Sequence, residues 1–237
     1  MLKAVLFDFG NTLVSTNINW AKIVPRSLED LRAALSATPG LNGERLGRDF
    51  LFIRQLAREE GKKSLYELPA TEALKRALRL QGIELDPEKQ QQAVDAFFAA
   101  EEKAYPLIFG IPEVLYQLRE LGLKLAVVSN ATCGRLIRRA LESRKLLNLF
   151  DVVTVSAEVG LRKPHPQIFH YTAERLGLGP SACAMVGDQP DTDIEGAKAC
   201  GMFTVLARFL PGPEPAITAD AVVTHPARLK EVIYRWL

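Results

Sequence analysis

Ala4-Val5-Leu6-Phe7-Asp8-Phe9-Gly10-Asn11-Thr12-Leu13 is the stretch on which the fold turns. Four apolar residues run straight into a carboxylate, and turn-forming Gly10 and Asn11 follow it, so the pattern predicts a buried strand with Asp8 just past its end. That is a suitable mount for a nucleophile. Three further apolar runs end in polar groups of matching chemistry. Leu125 to Val128 meets Ser129-Asn130, Val152 to Val155 lies upstream of Lys163-Pro164, and Ala182 to Val186 meets Gly187-Asp188. In a parallel sheet these ends converge on one edge.

Working outward, the chain divides by hydrophobic period. From roughly Trp20 to Tyr105 the period is helical, with Leu28, Leu31 and Leu35 on one face. Pro39-Gly40, Gly61 and Pro69 punctuate this block, and Pro87 follows Asp86 as a first-turn proline follows a cap, so four helices are expected. From Gly110 onward helix and strand alternate. Helices are expected at Pro112 to Leu121, Gly134 to Ser143, Gln167 to Leu176, Thr192 to Ala199 and from Pro226, and further strands at Thr204 to Ala207 and Ala221 to Val223. Alternation of this kind predicts an α/β fold, a doubly wound parallel sheet, with the helical block inserted after the first strand. Hinges are expected near Val14 to Asn19 and Tyr105 to Ile111, and a loop at Pro211-Gly212-Pro213-Glu214-Pro215. There is no internal repeat and no low-complexity tract.

Composition narrows the function classes. With 237 residues, 48% of them hydrophobic, the chain can bury one good core or a core domain with a smaller companion. A net charge of +2, from 30 basic and 28 acidic side chains, is too small to argue for general nucleic-acid affinity. Cys133, Cys183 and Cys200 are odd in number and lack metal-ligand spacing, which fits three structural thiols in a reduced, cytoplasmic setting. No stretch reaches membrane-spanning length, and Asp8 breaks the first apolar run where a signal peptide would continue.

The polar groups at the strand ends suit phosphoryl transfer. A carboxylate attacking a phosphoryl group must overcome anion repulsion, so cations and donors are needed around the transferring oxygens. Mg²⁺ takes one or two carboxylates, a backbone carbonyl and a phosphate oxygen, and Asp8 with Asp188 forms the natural pair. Asp193, five residues after Asp188, could complete the shell or orient Asp188 and a bound water. Lys163 supplies a compact positive charge, while Ser129 and the backbone amides around Phe9 and Asn130 donate hydrogen bonds.

Asp8-Phe9-Gly10-Asn11-Thr12-Leu13, Ser129-Asn130, Lys163-Pro164 and Gly187-Asp188-Gln189-Pro190-Asp191-Thr192-Asp193 together resemble the four ordered motifs of the haloacid dehalogenase superfamily. The helical insertion resembles that superfamily's cap. The resemblance implies a Rossmann-like core over residues 1–15 and 106–237, a helical cap over 16–105, and magnesium-dependent phosphatase chemistry on a small phosphorylated metabolite. An aspartyl-phosphate would form at Asp8, with Ser129 and Lys163 catalytic, Phe9 and Asn130 on the substrate, and Asp8, the Gly10 carbonyl, Asp188 and Asp193 around the metal. The protein is expected as a monomer or homodimer.

One departure matters. The superfamily's phosphatases usually carry an acid two residues after the nucleophile, to protonate the leaving oxygen, and Gly10 stands there. A dehalogenase or phosphonatase, or a protein that binds phosphorylated ligands without turnover, stays open as an alternative. A phosphonatase would need a cap lysine, with Lys22, Lys62, Lys63 and Lys75 to choose from. Asn11 and Thr12 are read as loop-shaping and His165 as structural. The basic stretch Arg135, Arg138, Arg139, Arg144 and Lys145 is read as a solvated helix face, and no role is assigned among Arg45, Arg48, Arg54 and Arg58.

Overall fold

The computed structural model describes residues 1–211 and 219–237. Strand β1 (Ala4–Phe7) is followed by four helices, α1 (Trp20–Ala34), α2 (Gly43–Ser64), α3 (Ala70–Arg79) and α4 (Pro87–Ala104). Then come α5 (Ile111–Glu120), β2 (Lys124–Ser129), α6 (Gly134–Ser143), β3 (Val152–Val155), α7 (Ser156–Val159), α8 (Pro166–Arg175) and β4 (Cys183–Gly187). A π turn at Pro190–Ile194 leads into α9 (Glu195–Ala199), and β5 (Phe203–Ala207), β6 (Ala221–Val223) and α10 (Leu229–Tyr234) close the chain. The strands match the expected ones to within a residue at each end. The expected proline-rich loop lies, beyond Pro211, outside the described residues.

All six strands are parallel, in the order β3-β2-β1-β4-β5-β6. This is the doubly wound, Rossmann-like order, and its reversal point lies beside β1, where such folds place their ligands. Side-chain alternation splits β1 between two apolar clusters. Val5 and Phe7 join the cluster that also holds Leu31, Leu46, Phe50 and Phe97 of the helical block, while Ala4 and Leu6 join the one built on Ile168 and Phe169 of α8.

Local chemistry explains the four inserted helices. Asp86 caps α4 by accepting from the Lys89 amide at 2.9 Å, and Asn42 caps α2 through the Arg45 amide at 3.0 Å. Leu31 and Leu35 are buried and Leu28 packs beside them, which turns the helical stripe of α1 onto α4.

Two expectations need correcting. The helix expected from Thr192 to Ala199 starts earlier and begins as a π turn, in which the Asp193 carboxylate reaches back to the Gln189 amide at 3.0 Å. The basic stretch after Ser129 is only in part a solvated face, because Arg135 and Lys145 are exposed while α6 lies against α4 and meets its acids. Arg135 and Arg139 both reach Asp95, Arg139 pairs with Glu102 at 2.8 Å, and Arg144 donates to the Glu102 carbonyl at 2.9 Å. Only a helix packed through tertiary contact could convert that run of positive charge into a seam.

Candidate active site

Register sets the site. Phe7 lies opposite both Val127 of β2 and Val186 of β4, so the next residues, Asp8, Val128 and Gly187, stand side by side at one sheet edge. The Asp8 amide donates to the Val186 carbonyl at 2.9 Å, which holds the nucleophile candidate in line with the ladder. Phe9 then turns the chain. Its carbonyl accepts from Leu13 and Val14, and Asn11 adopts φ 54°, a left-handed conformation that asparagine tolerates better than most residues. The Asn11 side chain accepts from Thr16 Oγ1 at 2.8 Å and donates to Asp188 Oδ2 at 3.3 Å. Asn11 therefore does shape the loop.

Lys163 lies at the centre. Its Nζ donates to Asp8 Oδ1 at 2.6 Å and to the Val128 carbonyl at 2.7 Å, and pairs with Asp193 Oδ1 at 2.7 Å. All three charged groups are almost withdrawn from water: Asp8 is 8% exposed, Lys163 3% and Asp193 0%. Burial works against the lysine's charge, but Asp193 and Asp8 outweigh it and hold its pKa above the ordinary lysine value. Burial pushes the carboxylates the other way. Asp193 rises to about 6 although Lys163 pulls against the shift, and Asp8 and Asp188 are also raised. The cluster holds more negative charge than one lysine balances, so a further cation fits it.

The donor set fits a hard divalent ion. Asp8, Asp188 and Asp193 can each offer an oxygen, all within 4.8 Å of one another. Their surroundings differ, however. Asp188 Oδ2 accepts from Gln189 Nε2 at 2.8 Å and from Asn11, while none of the described hydrogen bonds reaches Oδ1. Asp193 has Oδ1 on Lys163 and Oδ2 on the Gln189 amide. Its carboxylate occupies space that a side chain at residue 187 would fill, since a Cβ on Gly187 would stand 2.2 Å from Asp193 Oδ2. Among the described residues, no donor reaches the Gly10 carbonyl.

Ser129 and Asn130 stand at the end of β2. Ser129 is buried as a residue, and none of the described hydrogen bonds involves its hydroxyl. Asn130 uses both ends of its amide on the backbone of Lys163, accepting from its N–H at 2.8 Å and donating to its carbonyl at 3.0 Å. Its side chain is thus committed to fixing Lys163, and only its backbone faces are left for a ligand. His165 caps α8 by accepting from the Gln167 amide at 3.2 Å, the structural part expected of it.

Sequence reading missed a second layer. Glu67, on the loop between α2 and α3, is buried and accepts from Arg162 at both oxygens at 2.8 Å and from the Ser156 hydroxyl at 2.7 Å. Ser156 in turn accepts from the Ala131 amide at 2.9 Å, and the Arg162 amide donates to the Leu65 carbonyl. One carboxylate from the helical block therefore braces the backbone beside both Asn130 and Lys163. Glu67 and Arg162 are 95 positions apart and neither sits in a local motif, so no sequence signal pairs them. Of the four lysines considered, Lys22, Lys62 and Lys63 are exposed, and Lys75 lines a groove with Leu78, Ile83 and Pro87. All three cysteines are free thiols, two of them buried, and no described helix is long and apolar enough to cross a membrane.

Comparison with known proteins gives consistent results. Residues 2–201 match the family model for haloacid dehalogenase-like hydrolases. The glyceraldehyde 3-phosphate phosphatase of Methanopyrus kandleri is 32% identical over 88% of this chain and 84% of its own. The ribulose-1,5-bisphosphate 5-phosphatase of Halopiger xanaduensis is 31% identical over 93% and 90%. In structure, the 2-haloacid dehalogenase of Pseudomonas syringae covers both chains completely with a TM-score of 0.71 at 24% identity, a likeness of fold alone. With a matching family model across most of its length, and a parallel sheet that ends at Asp8 with Lys163 paired to it, this chain belongs to the haloacid dehalogenase-like hydrolases.

Proposed function

We propose that the protein is a magnesium-dependent phosphatase of small phosphorylated metabolites that works through an aspartyl-phosphate at Asp8. The observation that carries this reading is the Lys163 ammonium bridging Asp8 and Asp193 at 2.6 and 2.7 Å, with Asp188 within ligand reach of both carboxylates. The two phosphatase relatives support it as well.

Asp8 attacks phosphorus, the bond from phosphorus to the leaving oxygen breaks, and water then cleaves the acyl phosphate to regenerate the carboxylate. Lys163 neutralises the phosphoryl oxygens as Asp8 gives up its charge to the new bond, and Ser129 with the amides after Asp8 and Ser129 donates to those oxygens. Asp8, the Gly10 carbonyl and Asp188 would hold Mg²⁺ directly. The ion would draw charge from the phosphoryl group. Asp193 orients Lys163 from the outer layer, because both of its oxygens are already engaged. Residues 16–105 act as the cap over this sheet edge, with Glu67 as its brace.

Gly10 leaves no acid two residues after the nucleophile, so substrates with good leaving groups are favoured. That single position also favours the second reading, metal-free haloacid hydrolysis at the same Asp8, whereas the Asp188 carboxylate beside it argues for the metal. The test is phosphate release from acetyl phosphate and p-nitrophenyl phosphate with and without Mg²⁺. The expected result is metal-dependent release that EDTA abolishes. Full activity in EDTA, or halide release from haloacids without metal, overturns the reading.

A further inference from the structure

Residue 11 stands in a left-handed turn, at φ 54°, where glycine is the residue of least strain. Asparagine tolerates that conformation and brings what glycine lacks, a side-chain amide. Both ends of the amide are used. Asn11 Oδ1 accepts from the Thr16 N–H at 3.0 Å and from the Thr16 hydroxyl at 2.8 Å, while Nδ2 donates to Asp188 Oδ2 at 3.3 Å. A backbone N–H can only donate, so Thr16 fixes which end of the amide carries the oxygen and turns Nδ2 towards the carboxylate.

The backbone behind this bridge is tied down. The Asn11 N–H donates to the Val14 carbonyl at 2.6 Å, the Ser15 N–H to the Pro106 carbonyl at 2.9 Å and the Ile108 N–H to the Leu13 carbonyl at 3.1 Å. Residues 13–16 carry the chain from β1 towards α1 and residues 106–108 bring it back from α4, with Val14 bridged to Leu107. Thr16 therefore belongs to a paired segment, and Asn11 links that segment to Asp188.

Gln189 is the other donor to Asp188 Oδ2, at 2.8 Å, but it is exposed, whereas Asn11 is half-buried and its oxygen is held by two donors. Both donors act on the same carboxylate oxygen, which leaves the other for an ion. Asn11 gives that carboxylate a direction set by the fold.

We propose that Asn11 is a positioning residue for Asp188: it passes the fixed position of Thr16 to the carboxylate that would hold Mg²⁺, and so sets the affinity for the ion without touching it. This role rests on the metal part of the phosphatase reading. A ligand carboxylate already held by an outer hydrogen bond loses less torsional freedom when the ion arrives, which strengthens binding.

The test is a double-mutant cycle on Mg²⁺ affinity, read by calorimetric titration of the intact protein with Mg²⁺ alone, for Asn11→Gly, Thr16→Val and the pair. Glycine keeps the left-handed turn and removes the bridge. Valine keeps the shape of Thr16 and removes one of the two donors that hold the amide. Asn11→Gly should weaken Mg²⁺ binding on the order of tenfold, and Thr16→Val about threefold, although Thr16 is not among the candidate ligands. In the Asn11→Gly background Thr16→Val should change nothing further, and Thr16→Ser, which keeps the hydroxyl, should bind Mg²⁺ as wild type does. Unchanged affinity in either single variant overturns the proposal, as does a Thr16→Val effect that persists without Asn11, and with phosphate release intact the phosphatase reading survives that failure. A wild type that takes up no Mg²⁺ removes the proposal together with the metal reading. A Mg²⁺ site that responds to Thr16 through Asn11, in a protein that releases no phosphate from acetyl phosphate or p-nitrophenyl phosphate, keeps the proposal and rejects the phosphatase reading.

Discussion

Lys163, which is buried, and Arg54, which is half-buried, are two cations held in opposite ways. Lys163 sits among acceptors, with two carboxylates and a backbone carbonyl within 2.7 Å of its Nζ. Arg54 sits among three phenylalanine rings with no acceptor at all among the described residues. The difference teaches what each is ready to do. A cation whose donors are already used holds its neighbours in place and shares its charge with whatever forms on Asp8, whereas a cation over ring faces is held mainly by the attraction of those faces.

The largest effects should come from breaking the Lys163 cage. Asp8→Asn and Lys163→Met are each expected to lower phosphate release by roughly 10⁴-fold or more, the first by removing the nucleophile and the second by leaving the new acyl phosphate without its counter-charge. Single-turnover assays in saturating Mg²⁺ check this. Residual turnover within tenfold of wild type in Asp8→Asn would assign the chemistry to another group.

A smaller effect concerns what neither cation supplies, a proton for the leaving group. A positioned acid contributes roughly 10²- to 10⁴-fold for basic leaving groups, so wild type should hydrolyse acetyl phosphate and p-nitrophenyl phosphate faster than alkyl monoesters by a ratio in that range. Gly10→Asp should raise the alkyl rates selectively. Gly10 is not among the glycines with positive φ, so a side chain there meets no left-handed strain. The crowding that remains is a Cβ 3.0 Å from the Thr16 methyl, and Thr16→Ser should relieve it. Equal wild-type rates on both leaving groups would show that a water or another side chain donates the proton.

Next is the acid behind Lys163. Asp193→Asn is expected to cost roughly tenfold to a hundredfold in rate with little change in the Mg²⁺ concentration needed, because its part is to hold Lys163. Asp188→Asn should instead move the Mg²⁺ titration itself. Matching shifts in both titrations would make Asp193 a direct ligand.

Stability also separates the two cations, and Arg54→Met carries the smallest effect expected. Lys163→Met leaves Asp8 and Asp193 buried without compensation and should cost about 3–5 kcal/mol in metal-free urea unfolding, whereas Arg54→Met exchanges a costly charge for lost ring contacts and should stay within about 1 kcal/mol of wild type. A large loss in Arg54→Met would mean that the three rings already satisfy the charge.

The sheet was readable from the sequence because its signals are local. Each strand is a short apolar run, each ends in a polar residue, and the alternation with helical periods allows few other folds. The same locality made Asp8, Lys163 and Asp188 candidates, since all three lie at or beyond a strand end. The basic residues in and after α6 were only partly legible for the complementary reason. A row of arginines looks the same whether it faces water or the acids of α4, and the sequence does not say which helix will lie alongside.

From the sequence alone come the strand ends, the acidic loop after β4 and the glycine where an acid is customary, because period and turn chemistry act over a few residues. Tertiary structure alone decided that Asp193 turns to Lys163, that Asn130 spends its amide on the Lys163 backbone, that Glu67 reaches Arg162, and that Arg54 faces rings instead of an acid. Each of these depends on which distant groups share a desolvated space, and the strength of a charge or hydrogen bond is set by that space and its occupants.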